Sequence, residues 1–462
     1  MNKLNKMLLG LGLCAVMAAP AWGYGWIPSK GEPIPVKESI EAMMRNNHSL
    51  KALQENRSAV GHEVDRAKAG WGPRVDVVAR GGFGYLSNST TRSYDYDGAS
   101  PYSSASLIIT QPLWDGFRTL GRVREAEATY RSLDHRVYDN ATTLALDAII
   151  AHVDVLRRAE IYELAKENVA AHEDILAKAR QRVDSGVDTM ADVTQAQSRL
   201  ARAKSTLSDA EKSLRIGEET YTRLTDHSLM GVKLAPVVMP ENMYKNADEV
   251  LAVARTGNPK LSAYKEDVDA ARAVKQQVKS AYSPQIDLEM GPSYSDRDAK
   301  SELFTSEFGV AAVVRWNLFN SMADVNENKA AAARIRQARQ GLYDFMDTLK
   351  LSVNESWAEY KSALEQLEFY NEAVEFNLAT RDAYQEQFVM GERSLLDVLD
   401  AENELFNSSS QAITANGNAL IAAYRMKALT GELIPSFDIS TSILKVTPND
   451  HEPLEETRDV QW

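Results

Sequence analysis

GVDTMADV at residues 186–193 returns as GERSLLDV at residues 391–398, placing Asp192 and Asp397 205 residues apart (397 − 192). Gly186 with Gly391, Leu113 with Leu318, and Leu224-Thr225 with Leu429-Thr430 keep the same offset. One inserted residue would rotate every later side chain on a helix, so an unbroken register over that span predicts rigid, long helices. Upstream, Pro73 in GWGPRVDV aligns with Pro284 in AYSPQIDL at an offset of 211 (284 − 73). The six-residue difference falls between Pro73 and Leu113, where residues 87–104, rich in Ser, Thr, Tyr, Asp and Gly, read as a solvent loop.

Each half therefore has the order helix, strand, loop, strand, long helix, reversal, helix. The boundaries that follow are a first repeat over 22–245 and a second over 246–434. Strands are expected at about 73–86, 104–115, 284–295 and 304–318. Val75, Val77, Ala79, Gly81, Phe83 and Tyr85 alternate with Asp76, Arg80 and Gly82, and Leu107, Ile109, Gln111 and Leu113 run back. The second half repeats this with Ile286, Leu288 and Met290, then Phe308, Val310, Ala312, Val314 and Trp316. About ten residues per strand suits a tilted strand in a membrane barrel. Trp71, Trp114, Tyr282 and Trp316 fall near strand ends, where an aromatic belt meets lipid headgroups. Four strands cannot close a membrane barrel, and an open edge in lipid leaves backbone groups unpaired. Several chains must then share one barrel, and three would supply twelve strands.

No proline interrupts residues 116–183 or 321–389, and each run extends roughly 100 Å as a helix. Val353, Ser356, Tyr360, Ala363, Leu367, Tyr370, Val374, Asn377, Arg381, Tyr384 and Phe388 alternate steps of three and four, as a coiled-coil seam does. The series from Leu144 through Ala165, His172 and Val183 does likewise. Its small and polar members fit helices packed around a hollow better than a filled two-helix core.

The ends and the composition set further bounds. Lys3 and Lys6 precede an apolar run from Met7 to Met17, and Ala19-Pro20-Ala21 has the small-x-small form of a signal-peptidase site, so residues 1–21 read as a signal peptide. That run is too short to span a bilayer, and no later stretch reaches the roughly twenty apolar residues a membrane helix needs. Cys14, the chain's one cysteine, lies inside the leader, which leaves the mature chain without disulfides or a thiolate ligand. A net charge of -13 argues against nucleic acid as a partner. Residues 435–462 form an acidic tail without periodicity, expected to be disordered.

The two reversals hold the candidate site. Gly186 and Gly391 each end a long helix, where glycine enters the left-handed region at low cost. Thr189-x-x-Asp192 and Ser394-x-x-Asp397 have the form of helix-start capping boxes, one sufficient account of both aspartates. Asp400 is not explained that way. Asp397 and Asp400 share one helix face, so a trimer would place six carboxylates around one axis and prefer cations at that constriction. Arg393 either neutralises helix-end carbonyls or tethers its hairpin to Asp192 on another helix pair.

The order of elements, the duplication and the motif GERSLLDVLDAENELFNSSSQ at residues 391–411 resemble the TolC family of outer-membrane efflux proteins, over about residues 36–433. The resemblance implies a mainly α fold with membrane β: a homotrimer with a twelve-stranded β-barrel of four strands per chain, and a periplasmic helical coiled-coil barrel tapering to a gated tip. It implies the outer-membrane exit duct of a tripartite system for drug efflux or type I protein secretion, set in outer-membrane lipid. Its partners would be a periplasmic adaptor and an inner-membrane ABC or RND-type transporter. By the same resemblance Arg393, Asp192 and Phe388 hold the gate tether positions, and Asp397 and Asp400 ring the narrowest point. Phe388 and Ala191 stand where the family pattern has a tyrosine and a threonine, so each removes a hydroxyl from the gate.

The seven histidines are scattered, with no metal-binding pair, phosphate-cradling loop or nucleophile elbow. An enzyme, a metal site and a cofactor are therefore not expected, and His152 and His172 read as polar seam or surface residues. A soluble periplasmic coiled-coil scaffold or adaptor would share the leader and the heptads. It would not need paired alternating strands with aromatic ends.

Overall fold

The computed structural model describes residues 33–87, 89, 92, 98–229, 233–241, 243–298, 302–439 and 444. The expected leader and most of the expected tail lie outside the described residues. Helices α1 (Val36–Asn46) and α2 (His48–Lys68) lead into strands β1 (Arg74–Leu86) and β2 (Gly98–Trp114), then α3 (Arg118–Asp184) and α4 (Met190–Thr225). Helices α5 (Ala247–Gly257) and α6 (Pro259–Lys279) lead into β3 (Gln285–Asp298) and β4 (Glu302–Arg315), then α7 (Ala323–Met390), α8 (Leu395–Thr430) and the short α9 (Leu433–Ser436).

The helix starts have local causes. Asn47 accepts from the Leu50 N–H at 3.0 Å and caps α2, and Asn258 accepts from the Leu261 N–H at 2.9 Å and caps α6. Pro259 occupies the first turn of α6, where its missing N–H costs nothing. At about 1.5 Å per residue the 67 residues of α3 and the 68 of α7 each reach about 100 Å. Among the described residues no helix is long and apolar enough to cross a membrane.

The strands form one antiparallel sheet in the order β1-β2-β3-β4. β2 starts earlier than the turn-forming composition of residues 87–104 suggested, because Ser100, Tyr102 and Ser104 pair with Gly84, Gly82 and Arg80 and so gain ladder bonds. β4 stops at Arg315, so Trp316 and Leu318 lie past its end rather than inside a strand. The register puts Val75, Val77, Phe83, Leu107, Ile109, Ile286, Leu288, Phe308, Val310 and Val314 on one face. On the other face are Arg74, Asp76, Arg80, Asp287, Glu289, Glu307 and Arg315. Arg315 there donates to Asp287 at 2.8 Å and to Glu289 at 2.5 Å. An apolar face opposite a charged one fits a sheet with lipid on one side and water on the other.

The helices are buried unequally. On α7 the expected three-four seam is the inward stripe, with Val353, Ser356, Ala363 and Phe388 buried and Phe369 and Phe376 on the far side exposed. On α3 a second stripe, including Ala145, Ile149, Val153, Asn168 and Ile175, is buried beside the expected one. A single heptad reading misses it because α3 packs on both α4 and α8.

Midway along, residues 33–35 and 233–235 form a strap held by a parallel Ile34–Leu234 bridge. Beneath it His152, fully buried, is read by its neighbours: the Ala235 carbonyl can only accept, so Nε2 donates to it at 2.9 Å. Nδ1 then accepts from the Ser39 hydroxyl at 2.9 Å, and Ser39 accepts from Tyr221 at 2.6 Å. His152 is thus a core lock rather than a surface residue. Burial lowers its pKa, partly offset by the Ala235 bond, and burial also lowers those of His172 and His227. A depressed folded pKa means that the unfolded chain takes up protons first. Stability is therefore full above about pH 6.5 and falls below it, by at most about 1.4 kcal/mol per pH unit for each such histidine. Urea unfolding at pH 7.5 and 5.5 should show this loss, and His152→Asn should reduce it.

Order continues past Pro435, where the sequence suggested that the tail begins. α9 includes Pro435, Ile439 and Leu444 are buried in the core with Val137 and Tyr424, and Arg57 donates to the Leu444 carbonyl at 2.8 Å.

Candidate functional site

At the ends of the helical hairpins two reversals lie side by side. Hairpin one is α3–α4 and hairpin two is α7–α8. Gly186 and Gly391 both have positive φ, 77° and 82°. In hairpin one the Gly186 and Val187 N–H groups donate back to Val183 and Arg182 carbonyls, both at 2.9 Å. In hairpin two Gly391 and Glu392 do the same to Phe388 and Gln387, at 3.1 and 2.9 Å. Both helices thus end in the glycine-closed form that satisfies their last carbonyls.

Of the two expected capping boxes, α4 has the reciprocal form, and α8 has the Ser394 cap with Asp397 bonded to its hydroxyl. The Asp192 carboxylate accepts from the Thr189 N–H at 3.0 Å and its hydroxyl at 2.7 Å. Those hydrogen bonds, the hydroxyl's first, hold the Asp192 pKa below the usual carboxylate value. Asp397 accepts from the Ser394 hydroxyl at 2.8 Å, and its own N–H donates to that hydroxyl at 3.3 Å. Each cap of this kind contributes about 1 kcal/mol.

A shared apolar core joins the hairpins: Ile175, Leu176 and Ala179 from α3, Val193 and Ala196 from α4, Phe388 from α7, and Leu395, Val398 and Leu399 from α8. Phe388 is 3% exposed, a position where a phenol would need a buried partner for its hydroxyl. The expected tether residues are therefore divided. Phe388 is core, while Arg393 stays on its own hairpin, donating from Nε to Gln387 at 3.0 Å and stacking 4.1 Å from the Tyr384 ring centre. Its nearest carboxylate is Asp397 at 3.9 Å, half-exposed and worth no more than about 1 kcal/mol. Among the described residues no ion pair joins Arg393 to Asp192 within the chain.

Two arginines that the sequence reading missed make the polar ties between hairpins. Arg182 grips Asp188 with two bonds, 2.7 Å from Nε and 3.0 Å from Nη2, and its Nη1 donates 2.7 Å across to the Phe388 carbonyl. Its guanidinium lies 4.6 Å from the Phe388 ring centre. Charge-assisted, forked bonds at a half-buried position are the strong kind, about 1.5–3 kcal/mol each. Arg199 reaches Asp400 at 2.9 Å, so Asp400 faces the other hairpin while Asp397 bonds to the Ser394 cap of its own helix. Extending the 205-residue register would have paired Arg182 with Asp188, because they align with Gln387 and Arg393, which also bond to each other, but it would not have shown the bond across to Phe388.

The tip's charge is lopsided. From 386 to 404 hairpin two has Glu386, Glu392, Asp397, Asp400, Glu402 and Glu404 against Arg393. From 180 to 199 hairpin one balances Arg180, Arg182 and Arg199 against Asp184, Asp188 and Asp192. At the other end of the molecule Trp71, Trp114, Tyr282 and Trp316 all lie at the helix-side end of the sheet and are exposed. Phe83, Tyr85, Tyr294 and Phe304 form a second exposed aromatic group toward the far end, on the apolar face. Among the described residues no group of three or more His, Cys, Asp or Glu side chains is placed to hold a metal ion.

A four-stranded sheet with an apolar and a charged face, continued by helical hairpins about 100 Å long that end in an acidic tip, defines the class as a membrane-type sheet carried on a long helical body. The family model described as outer membrane efflux protein matches residues 40–225 and 250–432, and the chain belongs to that family. It is similar to the outer membrane efflux protein BepC of Brucella suis biovar 1 (strain 1330), 23% identical over 411 residues, covering 88% of this chain and 87% of that protein. It is also similar to the outer membrane protein TolC of Vibrio cholerae serotype O1, 22% identical over 398 residues, with coverages of 84% and 88%. Among solved structures, the outer membrane protein VceC from Vibrio cholerae shares the fold at a TM-score of 0.74 and 13% identity, over 86% of this chain and 96% of that one. The chain is thus an outer-membrane protein of the TolC family, reaching into the periplasm, with a general role in export.

Proposed function

We propose that three copies of this chain close a twelve-stranded barrel and form the passive, gated exit duct of a tripartite export system. The observation behind this reading is the four-stranded sheet, in which β1 and β4, among the described residues, have a strand neighbour on one side only, beside an apolar face. Unpaired backbone in lipid costs several kcal/mol per group, so neighbouring copies are the natural partners for those edges. The exposed side of α7, with Phe369 and Phe376, supports the same assembly, because a ring of helices gives each member two neighbours.

The recurrence of element starts, 211 residues apart from α1 to β3 and 205 apart from α3 to α8, supports two repeats per chain. In this reading the barrel sits in outer-membrane lipid, the hairpins line a periplasmic tunnel, and Arg393, Asp192, Asp397 and Asp400 work at its constriction. An adaptor and an inner-membrane ABC or RND-type transporter open it and supply the cargo.

The test is direct. The mature protein extracted from outer membranes should run as a trimer that heating converts to monomer, and should give discrete conductance steps in a planar bilayer. Monomers that remain soluble without detergent would instead indicate a periplasmic scaffold.

A further inference from the structure

Resting on the gated-duct reading, we infer that Arg182 is the latch that holds the two hairpins of one chain together at the tip. Three observations converge on it. Its guanidinium ends α3 and closes hairpin one by its fork on Asp188. Its remaining arm crosses to hairpin two and donates to the Phe388 carbonyl, one of the last carbonyls of α7, where the helix dipole favours a cation. The same plane covers the Phe388 ring, the aromatic plug of the core that all four helices share.

The fork matters because it orients the crossing arm. Asp188 takes two of the donors in fixed geometry, so the third points at hairpin two without further loss of side-chain freedom. Phe388 offers a buried ring and no hydroxyl, so the polar tie at this position comes from the opposite hairpin. Separating the hairpins breaks the Nη1 bond and uncovers the ring together. Arg199 with Asp400 forms a second and more exposed tie further along α4 and α8, so the latch has a primary and an auxiliary member.

Planar-bilayer recording on the full mature trimer tests this, with the heat-dissociation temperature of the trimer as the companion measurement. Arg182→Ala should raise the ratio of open to closed dwell times about tenfold or more, the factor set by one charge-assisted bond, with trimer dissociation unchanged. Arg182→Lys retains the charge but loses the fork, and should fall between alanine and wild type. Should Arg182→Ala fail to assemble, the lysine variant decides alone. Wild-type gating in whichever variants assemble overturns the latch. A purified wild type that forms no channels would overturn the duct reading instead.

Discussion

Gly291→Val should abolish the heat-resistant trimer. A side chain at Gly291 would drive its Cβ into the Leu107 carbonyl oxygen, which is backbone and cannot swing aside. The cause lies in the adjoining Pro292, which has no N–H to offer. The β2–β3 ladder is paired at Ser106–Ser293 and again at Ile109–Met290, and between these pairs the strands touch where Gly291 leaves room. That ladder joins the two halves of the sheet, which are otherwise separate hairpins β1–β2 and β3–β4. Forcing it apart creates two more unpaired edges in every chain, and in lipid each exposed backbone group costs several kcal/mol. Gly309 pairs with Gly291 on the opposite side and has open space around it, so Gly309→Ala serves as the control and should assemble normally. Outer-membrane extraction followed by unheated electrophoresis separates the outcomes. A Gly291→Val trimer as abundant as wild type would show that the sheet can yield there.

What could be read in advance follows from what periodicity encodes. Alternation along Val75–Tyr85 and Ile286–Met290 identified strands and faces, and the uninterrupted spans before Gly186 and Gly391 identified long helices, because each pattern repeats many times. Capping at Thr189 and Ser394 was legible because the chemistry is local. Arg182 was not, since its value comes from Asp188 in a turn and a carbonyl 206 residues away, and no spacing rule marks a carbonyl. The second stripe of α3 was hidden for a related reason: Val153 packs against Gly417 of α8, a neighbour whose position is set by tertiary packing. The early start of β2 escaped because Ser, Tyr and Pro read as loop in isolation, yet pair readily once β1 lies alongside.

Asp397→Asn with Asp400→Asn should remove much of the channel's cation preference while leaving the tip folded. Asparagine is the right replacement because both aspartates make structural bonds. Asp397 lies in the first turn of α8 and accepts from the hydroxyl of the Ser394 cap, a bond that an asparagine amide oxygen can keep and that alanine would remove. Asp400 accepts from Arg199 at 2.9 Å, and an amide oxygen can keep that bond. The change therefore isolates charge: six carboxylates in a trimer become neutral, leaving Arg393 and Arg199 at the constriction. At the separations of a narrow pore, within the Debye length of about 8 Å at physiological salt, such a reversal is not screened away. Reversal potentials in an asymmetric KCl gradient should shift toward zero or change sign, with conductance steps still present. The Arg199 pairing makes a further distinction. If Asp400 is held by Arg199 when the hairpins are together, Arg199→Ala alone should increase cation preference by freeing that carboxylate. Unchanged potentials in both variants would mean that the acidic excess of hairpin two faces away from the conducting path, and selectivity would then have to be sought along the charged face of the sheet at Asp76, Asp287 and Glu289.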